Sequence, residues 1–220
     1  MTMLIVALTG GIATGKSEVA KVLEQHGCYV QRADRAAHEL MKPRRSAWKQ
    51  VVAHFGPRVL NPDQTINRSR LGAIIFSDKK ERQFLNSLIH PLVLEKKKQV
   101  IRRLEKQGKY KIFVSEAALT IESGFLRFFD KIIVVHCPEK MQIKRLMQRG
   151  RVSRREALKK IRSQMPSLEK RSYADYVIDT SGSLDDTARQ TEEAYRHLLA
   201  DYRRKLKRSR PLTRRLKAGS

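Results

Sequence analysis

The stretch LIVALTGGIATGKSEVAKVL, residues 4–23, decides how the chain is read. Leu4–Leu8 is an unbroken apolar run, the pattern of a strand buried on both faces. Val19, Val22 and Leu23 recur at helical spacing, so a helix is expected from about Gly15. Between strand and helix stands Gly10-x-x-x-x-Gly15-Lys16-Ser17. Its glycines let backbone N–H groups turn inward around phosphates, and the helix N-terminus adds its dipole. Lys16 can reach the β- and γ-phosphates of ATP, and the Ser17 hydroxyl can join a Mg²⁺ shell. Gly10, Gly11, Ile12, Ala13, Thr14, Gly15, Lys16 and Ser17 are therefore expected at ATP, with Ser17 also at the metal. Ala13 is tolerable in such a loop if its φ is negative.

Outward from this loop, strands alternate with helices. Cys28–Gln31 reads as a second strand and Ala33–Met41 as a helix. From there to Gly108 the spacing is helical, with Pro91 at the start of a long helix, Leu92–Gln107. Strands return at Tyr110–Val114 and Lys131–His136. Pro138 opens a helix to about Arg149, and another ends near Gln164. Tyr176–Asp179 is a last strand, followed by a helix with apolar spacing from Leu184 to Leu206. Alternation of this kind predicts an α/β fold, a parallel sheet with helices on both faces. Ligands of such sheets bind beyond the carboxyl ends of the strands.

That rule selects further residues. Asp34 follows the second strand, where it can orient or deprotonate an attacking hydroxyl or, alternatively, cap the next helix. Glu116 ends the third strand, where it can hold metal-bound water or the acceptor, or serve as a loop carboxylate. The fourth strand ends in His136 with no acid, which counts against an ATPase motor. Arg145, Arg149, Arg151, Arg154 and Arg155 cluster after it. Arginines that close over a transferred phosphoryl group spread its charge, whereas a solvated basic face needs no ligand.

The charge balance is strongly basic, with Lys+Arg 47 against Asp+Glu 22, or +25. Nine basic residues and no acid lie between Arg203 and Lys217; without them the balance is 38 against 22, still +16. Such a body attracts polyanions without specifying which. Cys28 and Cys137 have neither metal spacing nor a disulfide framework, and no apolar run approaches a membrane span or a signal peptide. A cytoplasmic protein is expected.

In order, the motifs LTGGIATGKS, ADRAAH, FGPRVL, NRSRLGAIIF, His90-Pro91, QIKRLMQR, then Ser153, Ala157, Gln164, Lys170 and YADYVIDTSG resemble the dephospho-CoA kinase family over residues 4–182. The resemblance implies ATP-dependent phosphorylation of the ribose 3′-hydroxyl of dephospho-CoA, the last step of coenzyme A synthesis, with Mg²⁺. It implies a parallel-sheet P-loop kinase core at residues 1–42, 109–137 and 166–202. A helical CoA-binding insert would occupy 43–108 and a small helical lid 138–165; the basic tail, 203–220, lies largely outside the resemblance and is expected to be disordered because its like charges repel. By motif position, Asp34, Lys16, Arg145 and Arg149 would be catalytic, and Arg145 would also touch ATP. Thr9, Asp34, His90 and Glu116 would meet the acceptor. The chain departs from the family pattern at Arg32, where Asp is usual, and at Ala13, Ser115 and Gly150. Partners would be ATP and dephospho-CoA, with no nucleic acid required and no oligomeric state implied. Another small-molecule or nucleotide kinase of this fold is the alternative. Further off is a nucleic-acid-binding NTPase, disfavoured by the missing strand-end aspartate and the absence of an aromatic-rich basic groove.

Overall fold

The computed structural model describes residues 2–150 and 152–209. In chain order its elements are β1 (Leu4–Gly10), α1 (Lys16–Gln25), β2 (Tyr29–Arg32), α2 (Ala33–Leu40), α3 (Ser46–Phe55), α4 (Arg68–Ser77) and α5 (Lys79–Gln107). There follow β3 (Ile112–Glu116), β4 (Lys131–His136), α6 (Glu139–Gly150), α7 (Arg154–Arg162), the single turn α8 (Ser167–Lys170), β5 (Tyr176–Asp179) and α9 (Leu184–Ser209). The five strands form one parallel sheet in the order β2-β3-β1-β4-β5.

Every residue of β1 is buried, as its central position requires. Leu4, Val6 and Leu8 point to a core shared with Val19 and Leu23 of α1 and Leu198 of α9. Met3 and Ile5 pack on the opposite face, against Ile101 and Leu104 of α5 and Phe113 of β3. This alternation covers both faces of the sheet with helices. A separate cluster under α3, α4 and the first half of α5 joins Val51, Phe55, Leu71, Leu85 and Ile89. The second half of α5 therefore covers the sheet while its first half builds a helical layer beyond it.

The expected helix start at Pro91 is not what the structure has: Pro91 lies inside α5. Its missing N–H costs one helical bond, yet apolar residues on both sides, from Leu85 to Leu104, hold the helix continuous across it. The helix actually begins at the cap Asp78, whose carboxylate accepts from the N–H groups of Lys80 and Glu81 at 2.7 and 3.3 Å. The other long helix, α9, continues through Ser209, past the expected tail boundary at 203. Its Lys205 Nζ donates to Met3 O at 2.8 Å and to Asp130 Oδ2 at 2.6 Å, which ties this turn to the edge of the core. Residues 210–220, the rest of the expected tail, lie outside the described residues.

Candidate active site

Register brings the site together. Parallel pairing sets Arg32 beside Glu116 and Glu116 beside Leu8, so the carboxyl ends of β2, β3 and β1 lie side by side. Gly10 sits at φ 151, and a Cβ there would stand 2.3 Å from Val135 O of β4. Only glycine lets the loop leave the sheet this close to a neighbouring strand. Gly15, at φ 89, turns the chain into α1. Between them Ala13 takes φ 59, so the condition of a negative φ, under which the alanine would be free of strain, is not met. A left-handed alanine costs roughly 1–2 kcal/mol. Ala13 packs with Ile12 against Ile143, Leu146, Ala157 and Ile161 of α6 and α7, which offsets part of that strain.

The loop is strapped from several sides. Gln164 Oε1 accepts from Ile12 N at 2.9 Å, and Gln142 Nε2 donates to Ile12 O at 2.8 Å. Thr180, just after β5, donates from Oγ1 to Thr14 O at 2.7 Å. Arg145 donates in turn to Thr180 Oγ1 and O at 3.1 and 2.7 Å. Lys16 Nζ donates to the carbonyls of Gly10 and Gly11 at 3.1 and 2.8 Å, which holds the ammonium inside the loop.

A cavity of about 790 Å³ opens beside this loop. Lys16, Ser17, Arg145 and Arg149 line one end of it, and Ala37 of α2 with Leu85, His90 and Val93 of α5 line the other. Glu116 of β3 lines the same cavity, next to Ser17. Burial lowers the pKa of His90 from its ordinary value, so at neutral pH the ring is neutral and can exchange a hydrogen bond with a ligand. Thr9 is not brought to the cavity: it is fully buried and donates to Ala118 O at 3.3 Å, because alternate residues of β1 face opposite sides of the sheet. Asp34 stands in the first turn of α2, whose N-cap position is Arg32, so Asp34 is not the cap. Its side chain lies outside the described residues, as does Arg151.

Arg32 is accommodated by partners that its departure from the family pattern did not reveal. Its guanidinium forks onto Glu24 of α1, at 2.8 Å to Oε1 and 3.0 Å to Oε2. Its Nε lies 3.4 Å from Glu116 Oε2. The Arg32 fork holds Glu24 below the usual carboxylate range. Glu116 Oε1 accepts from Ser17 Oγ at 3.1 Å, while the buried Oε2 accepts no hydrogen bond among the described residues. A serine hydroxyl and an under-satisfied carboxylate beside a phosphate loop fit the hydration shell of a Mg²⁺ ion that arrives with a nucleotide. Among the described residues no His, Cys, Asp and Glu cluster could hold a metal alone.

Sequence reasoning missed the roles of Gln142, Thr180 and Glu122. Glu122 Oε1 pairs with Lys170 Nζ at 2.8 Å and accepts from Met165 N at 3.1 Å, which clasps the loop after β3 to α8. Gln142 and Thr180 fall inside the motifs QIKRLMQR and YADYVIDTSG, but only the fold shows that they brace the phosphate loop, and Glu122 lies in no motif at all.

A family model described as dephospho-CoA kinase matches residues 4–186. A dephospho-CoA kinase of Halalkalibacterium halodurans is 41% identical over 187 residues, 85% of this chain and 92% of that protein. A dephospho-CoA kinase domain-containing protein of Danio rerio is 43% identical over 190 residues, 86% of this chain and 82% of that protein. Among solved structures, TT1252 from Thermus thermophilus superposes with a TM-score of 0.74 at 29% identity, covering 90% of this chain and 97% of that one. Dephospho-CoA kinase from Campylobacter jejuni gives 0.63 at 26% identity, covering 91% and 98%. Shikimate kinase from Acinetobacter baumannii, at 0.50 and 14% identity, shares the fold.

Proposed function

The chain belongs to the dephospho-CoA kinase family, and from that premise we propose that it transfers the γ-phosphoryl group of ATP to the ribose 3′-hydroxyl of dephospho-CoA. The products are coenzyme A and ADP. The observation that carries this reading is one continuous cavity lined both by the phosphate loop and by residues of α2 and α5. Donor and acceptor can lie end to end there.

In this reading ATP lies on Gly10–Ser17, with Lys16 at the β- and γ-phosphates. Asp34 takes the proton of the 3′-hydroxyl as its oxygen bonds to the γ-phosphorus and the bond to the β–γ bridging oxygen breaks. Arg145 and Arg149 face the charge that spreads over the transferred group. His90 hydrogen-bonds the acceptor. Ser17 and Glu116 would hold Mg²⁺, directly or through water. The metal, when bound, neutralises phosphate charge and fixes the phosphate geometry. We assign residues 1–42, 109–137 and 166–202 to the core, 43–108 to the acceptor-binding insert and 138–165 to the lid. Lid closure would exclude water and so limit idle hydrolysis.

No helix among the described residues is long and apolar enough to cross a membrane. Cys28 and Cys137 are both buried free thiols, in keeping with a reducing, cytoplasmic setting. The test is an acceptor panel of dephospho-CoA, nucleosides, nucleotides, DNA and RNA, with ADP release as the readout. Release that depends on dephospho-CoA supports the reading, and release stimulated only by another acceptor or by nucleic acid contradicts it.

A further inference from the structure

The acceptor end of the cavity holds a cation that the reading above does not use. Lys97 lies on α5 and is only 6% exposed, yet it lines the cavity. Its Nζ stands 4.7 Å from the ring centre of Phe129 and 5.8 Å from that of Phe128. No hydrogen bond or ion pair to Lys97 occurs among the described residues. Glu122, a carboxylate whose field, like that of Lys97, reaches His90, is already paired with Lys170 at 2.8 Å. Aromatic faces return only part of the hydration that a buried ammonium loses. Burial accordingly lowers its pKa to about 8.

A buried cation facing a ligand cavity calls for an anion, and its place limits which one. Lys16, Arg145 and Arg149 serve the nucleotide end of the cavity. Lys97 is seven residues beyond His90, roughly 10 Å further along α5. An anion here is separate from the transferred phosphate. Dephospho-CoA has one anionic group of its own, the diphosphate on the 5′ carbon of the ribose that presents the 3′-hydroxyl.

We propose that Lys97 is an acceptor-recognition residue that binds the diphosphate of dephospho-CoA against the Phe128–Phe129 pair. The proposal rests on the kinase reading above. It explains why a charge that weakens the free protein stands on a mainly apolar stretch of wall, with Leu85, Ile89, Val93 and Leu94 beside the neutral Asn86 and His90. In the complex the cation gains a charge-assisted partner that neither ring supplies.

The test compares wild type, Lys97→Met and Lys97→Arg by calorimetric binding of dephospho-CoA and by steady-state kinetics. A charge-assisted contact predicts that Lys97→Met raises Kd and KM for dephospho-CoA by about tenfold or more, with KM for ATP and kcat within about twofold. Lys97→Arg should recover most of the loss. Lys97→Met should also melt at a higher temperature than wild type, which separates weak binding from poor folding. Lys97→Gln replaces it if the Met variant does not fold. Unchanged dephospho-CoA binding in the variants overturns the role of Lys97 and leaves the kinase reading intact. Wild-type protein that neither binds nor phosphorylates dephospho-CoA overturns both.

Discussion

Two residues carry the most consequential charges. Asp34 is assigned the proton of the acceptor hydroxyl, a role for which geometry must be kept while basicity is removed. Asp34→Asn does this, and it is expected to lower kcat by about 10²–10⁴-fold with ATP affinity nearly unchanged. Rapid-quench turnover and nucleotide titration check the two halves; an unchanged kcat removes Asp34 from the role. Lys97 gives a stability signature with a fixed sign. Its pKa falls from 10.5 to about 8, so below pH 8 the folded protein bears the full cost of a buried charge, about 3 kcal/mol. Between pH 8 and the ordinary lysine value the folded state releases the proton before the unfolded state does. Wild-type stability therefore gains with rising pH in that window. The advantage of Lys97→Met in urea unfolding should be largest below pH 8 and shrink above it, with His90 the neighbouring titratable group and Glu122 coupled to His90 in turn.

Between elements, the clasp of Lys170 and Glu122 sets the loop after β3. Lys170 is fully buried and also donates to Ala118 O at 2.6 Å, so its removal leaves both an acceptor and a carboxylate short of a partner. Lys170→Met is expected to cost about 3 kcal/mol in denaturant unfolding. A cost under about 1 kcal/mol would show that water replaces the clasp. This clasp also marks the limit of what sequence alone discloses. Gly10–Ser17, the strands and most helices were legible because each depends on residues close in the chain. The Pro91 expectation failed because packing on both sides of α5 outweighs one lost hydrogen bond. Whether Ala13 would meet its condition of a negative φ was not legible, because the loop path is set by Gly10 against β4 and by the α6–α7 cluster. Arg32 was conspicuous as a departure, but its partners Glu24 and Glu116 belong to other elements, and only strand register makes them neighbours.

Over the whole molecule, the parallel sheet gathers the phosphate loop, Glu116 and the helical layer around one cavity, while basic charge is spread through the chain. The charge of +25 favours polyanions of any kind, so it draws nucleotide substrates without selecting among them. In the proposed reading selection falls to the cavity, where the acceptor would present its hydroxyl toward Asp34 and an anion at Lys97 together. The most direct measurement is ATP turnover by the full chain with dephospho-CoA, followed by mass and phosphorus NMR analysis of the product. The account predicts one ADP released per acceptor consumed and a new phosphomonoester on the ribose 3′ oxygen. ADP release indifferent to dephospho-CoA, or a phosphate at any other position, would contradict it.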